Sequence, residues 1–271
     1  MMRSLYTAAS GMRAQQTNLD VISNNLANVN SAGYKTSSAE FKSLLYQTLQ
    51  TRSTSANGDY KPVPAQVGTG ARTASITKHF TQGAFLETGE QYNFAIDGDG
   101  FFAVQNEDGD TLYTRNGDFQ MAVTENGYML CTQEGYPVLD VDGIPIELDS
   151  EYEPSKVVIA SDGTFCYPDE NNKAQSLGIK IGLYQVKNPA GFDSVGSTMF
   201  KETDASGMAV EENSNPELKK SKVRQGYVEG SNVQVADEMV NMIVAQRAYE
   251  MNSKAIQASD EMLSQANQLR R

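Results

Sequence analysis

One histidine and two cysteines are all that these 271 residues offer toward the usual metal and nucleophile chemistries. A structural zinc takes four Cys or His ligands, and His79 with Cys131 and Cys166 cannot complete that set. His79 has no serine or cysteine nucleophile motif near it, and a single imidazole leaves few groups to act as a general base near neutral pH. No apolar run is long enough to span a bilayer. No secretory signal is legible either, because Ser10, Arg13 and Gln15 interrupt the apolar stretch that starts at Leu5 before it reaches the length of a signal core. The expectation is a chain without membrane insertion that stays in the cytosol or leaves it by a route that reads no cleaved signal. Blocks of five like charges are also absent, and the net charge of −12 reads as spread along the chain. Nucleic acid and anionic membranes need clustered Lys and Arg, so both are disfavoured as partners.

Two motif fragments are incomplete. Asp97-Gly98-Asp99-Gly100 opens like a calcium loop, but Phe101 and Phe102 stand where that loop needs an oxygen ligand and a glycine. Gly68-Thr69-Gly70 lacks the lysine and the strand-to-helix setting of a phosphate loop. Cys131 and Cys166 could form one disulfide or lie as two half-buried thiols on strands. No catalytic residue, cofactor or metal is expected.

What the sequence does contain is a seven-residue repeat at each end. Leu5, Met12, Leu19 and Leu26 form one column, and Ala8, Gln15, Ile22 and Val29 the next. Such a seam on a 3.6-residue helix implies a left-handed supercoil with a partner helix. The candidate partner carries Met242, Tyr249, Ile256 and Leu263, with Ala248, Ala255, Met262 and Leu269 beside them. Ala245, Ala248, Asn252, Ala255 and Ser259 keep one strip of it small, which permits close helix approach. The spacing predicts helices over 2–29 and 232–269, about 42 and 57 Å long at 1.5 Å per residue. Gly33 is the expected stop of the first. Ser231 with Gln234 reads as a capping box for the second, with Glu250–Lys254 as an i,i+4 pair and Arg270 and Arg271 at its negative end. The polar face of the first helix is rich in amides, including Gln15, Gln16, Asn18, Asn24, Asn25, Asn28 and Asn30, which suits a face to be covered by further protein.

Between the ends, Phe41, Leu44, Leu45, Tyr46 and Leu49 predict a short amphipathic helix within 35–50, and 51–75 reads as a linker or extended arm. From Gly83 on, short aromatic and branched segments alternate with Asp108-Gly109, Asn116-Gly117, Asn126-Gly127, Asp142-Gly143 and Asp162-Gly163, which are hairpin-turn dipeptides. Residues 187–222 read as polar loop. The predicted fold is α+β and multidomain: paired, coiled-coil-like N- and C-terminal helices with an all-β antiparallel central domain. The expected boundaries are 1–34 and 226–271 for the two helices, 35–75 for a short helix and arm, and 76–225 for the β domain. Isolated helices of this kind are marginal in water, so 1–30 and 240–271 are expected to be largely disordered in the free monomer and to order on pairing with neighbouring copies.

Three stretches resemble the bacterial flagellar rod and hook proteins. NNLANVNSAGYK at Asn24 to Lys35 is similar to their N-terminal signature, and GYVEGSNVQVADEMVNMIVAQRAYEMNSKAI at Gly226 to Ile256 to their C-terminal one. AIDGDGFFAV at Ala95 to Val104 resembles a motif of their β domain. The length, and LLYQT at Leu44 to Thr48, look most like the distal-rod members, with proximal-rod and hook-type subunits as alternatives. The resemblance implies a structural subunit exported without a cleaved signal, assembling helically with many copies of itself into a tube around the export channel, and an arm over 46–75 that stiffens the rod. It implies as partners other rod and hook proteins, surrounding ring or bushing proteins and the export apparatus. The residues expected to carry assembly are Leu5, Met12, Leu19, Ile22, Asn24, Asn25, Leu26, Asn28 and Val29 at one end and Met242, Ala245, Tyr249, Asn252, Ile256 and Leu263 at the other. The rivals are a cell-wall-acting β domain that the helices merely oligomerise, and a soluble coiled-coil dimer.

Overall fold

The computed structural model describes residues 2–50, 65–124, 127–168, 173–216 and 218–268. It has a long helix at each end and antiparallel strands between, the α+β arrangement the patterning predicts. The chain forms two compact units. The helical unit comprises Met1–Ala27, Ser37–Lys78 and Gln234–Arg271, and the β unit Asn28–Thr36 and His79–Val233. Acidity is not spread evenly between them. The β unit holds 11 Lys and Arg against 26 Asp and Glu, a net −15, and the helical unit 11 against 8, a net +3.

In the helical unit, α1 (Met2–Ala27) packs along α2 (Val235–Gln268). The hydroxyls of Ser4 and Ser259 are 3.2 Å apart, and Gly11 faces Asn252. Low numbers on one helix therefore meet high numbers on the other, and the pair is antiparallel. The column of α2 turned inward is Glu238, Ala245, Asn252 and Ser259; three of these belong to the small strip, and Ala245 and Ser259 are 1% and 3% exposed. α1 stops at Ala27, short of Val29, because Asn28 opens a turn in which Ser31 N–H donates to its carbonyl. Gly33 adopts φ +68 beyond that turn and is not the stop. α2 starts later than the capping box requires. Its first turn closes from Glu238 N–H to the Gln234 carbonyl at 3.0 Å, while the Ser231 hydroxyl accepts from Val233 N–H. Glu250 pairs with Arg247 at 3.0 Å and not with Lys254. Leu269, Arg270 and Arg271 lie outside the described residues.

The short helix expected within 35–50 is not formed. The stretch is two strands, β1 (Ser37–Ser43) and β2 (Tyr46–Gln50). β2 pairs with β3 (Ala65–Gly68), and β1 with β4 (Ala71–Lys78) from Ser37↔Lys78 to Ser43↔Ala71. A short stretch that includes Thr36, Ser37, Ser38, Ser43 and Thr48 nucleates a helix poorly, whereas β4 supplies a ladder partner that no local period reveals. Glu40 adds cross-strand bonds from the hydroxyls of Ser75 and Thr77. The described part of the arm expected over 51–75 is therefore mostly strand, and its part at 51–64 lies outside the described residues. Both helices are formed and pack on one another within the chain.

The β unit is built around β5 (Phe101–Gln105) in a six-stranded antiparallel sheet whose order is Asp193–Gly196, Met199–Lys201, β6 (Thr111–Thr114), β5, Leu183–Gln185, Val210–Glu211. Phe102 and Val104 face a large apolar core with Phe94, Phe119 and Phe165. Phe101 and Ala103 face a second, aromatic cluster with Phe200 and Tyr113. A strand buried on both faces reads as a continuous apolar run, which accounts for Phe101 to Val104. Gly109, Gly143 and Gly163 take positive φ at their turns, as the dipeptides predict. Asn116-Gly117 is not a hairpin turn: Gly117 packs its backbone on Phe94, whose N–H donates to the Gly117 carbonyl. Asn126 lies outside the described residues. Residues 187–222 are not simply loop either, since Asp193–Gly196 and Met199–Lys201 form a hairpin that buries Met199 and Phe200. Its turn uses Ser197 and Thr198 at φ 47 and 58, next to Gly196 at φ 121. Cys131 is buried, Cys166 is half-buried, and both are free thiols.

Candidate functional site

The expected assembly residues sort by depth. Ile22, Asn25 and Ala245 are buried; Leu5, Met12, Leu19, Leu26, Asn28, Val29, Met242, Asn252 and Ile256 are half-buried; Asn24, Tyr249 and Leu263 are exposed. The inward side of α2 thus runs through Ala245 and Asn252 more than through Tyr249 and Leu263. Opposite it, Met239, Val240, Ile243 and Val244 are all more than half exposed. Spaced i, i+1, i+4 and i+5, they make a second apolar face pointing away from α1.

The amides do not all wait for further protein. Asn25, 1% exposed, donates from Nδ2 to the Ser37 carbonyl at 2.8 Å and accepts Ser37 N–H at 3.0 Å. It replaces a strand neighbour and fixes the start of β1 to α1. Asn25→Ala leaves a buried donor and acceptor unpaired and is expected to cost about 2–4 kcal/mol. Denaturant unfolding and faster hydrogen exchange at Ser37 check this.

In the β unit, residues of all three signature stretches meet at one buried ionic centre. Glu229, on the strand Tyr227–Glu229, accepts Lys35 Nζ at 2.6 Å and Arg115 Nη1 at 3.1 Å, and all three side chains are at most 2% exposed. The Gly83 N–H adds a 2.8 Å bond to the same carboxylate. Lys35 also donates to the Thr81 carbonyl, and Arg115 Nη2 to that of Gly98. The Arg115 guanidinium lies 5.0 Å from the centre of the Phe101 ring. Burial holds the Lys35 pKa below its usual value, against the opposing pull of Glu229. Beside this centre, Asn232 accepts Thr36 N–H at 2.7 Å and donates to the carbonyls of His79 and Thr81. One amide thereby holds the ends of the segments by which the chain enters and leaves the β unit.

The Asp97–Gly100 stretch serves the same region through its glycines. A Cβ on Gly98, at φ +145, would stand 2.4 Å from Ser221 Oγ, and one on Gly100 2.5 Å from Glu212 Oε1. Glu212 is buried and accepts Ser221 N–H and its hydroxyl, both at 2.7 Å. The glycines let this backbone lie against those groups. Sequence reasoning missed Lys35, Arg115, Glu229 and Asn232 as a set. The available signal was the single Lys that ends NNLANVNSAGYK and the single Glu in GYVEGSNVQV, each set among amides, glycines and apolar residues.

Among the described residues, no three His, Cys, Asp or Glu gather where they could hold a metal ion. No described helix is long and apolar enough to cross a membrane.

Three family models match: "Flagella basal body rod protein" over residues 5–35, "Flagellar hook protein FlgE/F/G D1 domain" over 95–167, and "Flagellar basal body rod FlgEFG protein C-terminal" over 224–269. Similar proteins include the flagellar basal-body rod protein FlgG of Borreliella burgdorferi, 44% identical over the full length of both chains. Those of Buchnera aphidicola subsp. Acyrthosiphon pisum (41%, 99% of this chain and 100% of the relative) and Agrobacterium fabrum (39%, 97% of each) are also similar. The match runs from one terminal helix through the β unit to the other, and the chain belongs to the flagellar basal-body rod FlgG family.

Proposed function

We propose that this chain is a structural subunit of the bacterial flagellar rod, in its distal part, and that it assembles helically into a hollow tube that carries torque and surrounds the export channel. The observation that carries this is the double-sided α2. One side, small and partly polar, packs on α1, and Met239, Val240, Ile243 and Val244 are left in water on the other. Apolar surface of that kind is stable only when something covers it. A head-to-tail contact that does not close makes a filament. The likeness to relatives named as rod proteins supports the same reading. In it, the half-buried seam residues and the outer face of α2 meet other copies, and rod, hook and ring proteins and the export apparatus are the further partners. The subunit reaches the basal body, in the periplasm, without a cleaved signal. Terminal helices, amide face and β unit then have mechanical roles and no catalytic one.

Concentrating the purified chain is expected to give hollow fibres by electron microscopy, above a critical concentration found by sedimentation. A single discrete dimer mass at all concentrations would instead favour the coiled-coil dimer. For placement in the rod, Cys131 is a poor label site, since burial raises its thiol pKa and the thiolate is the reactive form. Ile144→Cys, at a side chain 63% exposed, is expected to put gold label on the distal segment of isolated basal bodies. Label confined to the proximal segment would overturn the distal assignment.

A further inference from the structure

α1 has a second side, away from α2, where an open groove runs between it and β2, β3 and the start of β4, bridged at Ser10, whose hydroxyl accepts the Ala71 N–H at 3.3 Å. The groove has two parts of about 630 and 440 Å³ that share Tyr6, Leu44 and Thr69 as walls. Arg3, Arg13 and Arg72 line it, and among the described residues no acidic one does. Among the described residues none of these arginines forms an ion pair. In the helical unit, whose net charge is +3, three arginines without an ion pair around Tyr6, itself 80% exposed, mark a surface suited to an acidic, partly apolar occupant.

The same unit carries a segment of that chemistry. Because Ser4 meets Ser259 and α1 begins at Met2, the end of α2 runs past the start of its partner. Residues 261–268 are exposed on every side. Asp260 and Glu261 form no ion pair among the described residues, and Met262 and Leu263 follow them, 50% and 36% exposed. Asp260 to Gln268 spans about 12 Å of helix, and the groove from Arg3 to Thr17 about 21 Å, so the segment fits within it.

We propose that the groove between α1 and the strands receives the projecting end of α2, Asp260–Gln268, from a second copy. The proposal rests on the rod-subunit reading and names the contact that propagates it. The carboxylates of Asp260 and Glu261 meet Arg13 and Arg72, while Met262 and Leu263 cover Tyr6 and Leu44. Groove and projecting end are different surfaces of one molecule, so the contact is head-to-tail and adds copies without limit.

The test uses the full chain carrying Cys131→Ser and Cys166→Ser. Copies with Thr69→Cys are mixed with copies carrying Met262→Cys and oxidised mildly under assembly conditions. A disulfide-linked pair containing one copy of each is expected. Separately, Arg13→Glu with Arg72→Glu, or Asp260→Lys with Glu261→Lys, is expected to raise the critical concentration about tenfold, the size that two partly screened ion pairs supply. The variant with all four changes is expected to regain most of the loss. Fibres that form without the Thr69–Met262 link would overturn the groove contact and leave the rod reading standing, as would a quadruple variant no better than either pair. Absence of fibres from the unsubstituted chain would overturn both.

Discussion

Glu229→Ala is expected to unfold the β unit or to cost it about 3–5 kcal/mol, the range found when one partner of a buried charge pair is removed. The carboxylate is fully buried between Lys35 and Arg115. Without it two cations remain out of water, held only by the carbonyls of Thr81 and Gly98. Lys35→Met should cost less, because Arg115 and the Gly83 N–H still satisfy Glu229. In the double variant Lys35→Met with Glu229→Ala, the loss should fall short of the two single losses added together, since only Arg115 is then left without the carboxylate. Denaturant midpoints of the four chains give that coupling. The pH dependence has a definite sign. Lys35 has its pKa below 10.5 in the folded chain, so between that lowered value and 10.5 the unfolded chain holds the extra proton. Stability from this group therefore rises with pH across that window and is flat below it. A loss of stability through the window, present in the unsubstituted chain and absent from Lys35→Met, would show that Glu229 outweighs burial.

The centre matters because of where its members stand in the chain. Lys35 precedes the step into β1 by two residues, and Glu229 precedes the step toward α2 by six. With Asn232 binding Thr36, His79 and Thr81, three distant segments are fixed together inside the β unit. Sequence periodicity could not show this. A lysine and a glutamate 194 residues apart carry no repeat, and a buried ion pair looks in sequence like any two surface charges. What was legible was whatever is local. The heptads of the two ends, the glycine turns at Gly109, Gly143 and Gly163, and the apolar run Phe101 to Val104 all express a period or a backbone angle. What failed was whatever needs a distant partner. Phe41, Leu44, Leu45 and Leu49 fit a helix on spacing, yet the stretch is strand because β3 and β4 come back to pair with it. The hairpin closed by Ser197 and Thr198 has no Asn-Gly or Asp-Gly to mark it, only Gly196-Ser197. An amide-rich face suits contact with neighbouring copies, yet Asn25 spends its side chain on Ser37 of its own chain.

Ala245→Phe is expected to separate α1 from α2 and to abolish tube formation. Ala245 is 1% exposed and lies on the column of α2 turned toward α1. The approach there is close: a Cβ added to Gly11 of α1 would stand 2.9 Å from Asn252 Nδ2. Helices this near have no room for an aromatic ring, and overpacking of such a contact costs about 1–3 kcal/mol, sometimes more. The loss should appear as reduced helical signal at an unchanged melting temperature of the β unit, because the two units have separate cores. Gly11→Leu should act in the same direction from the other helix. Ala255→Phe is the informative contrast. Ala255 belongs to the neighbouring column and is exposed in the single chain, so the change should leave monomer stability within about 0.5 kcal/mol. If Ala255→Phe also leaves fibres intact, that column faces the lumen or solvent. If it blocks them while the monomer stays folded, the column meets a neighbouring copy. Loss of monomer stability in Ala255→Phe, with Ala245→Phe tolerated, would reverse the assignment of the two columns and with it the antiparallel register that Ser4 and Ser259 define.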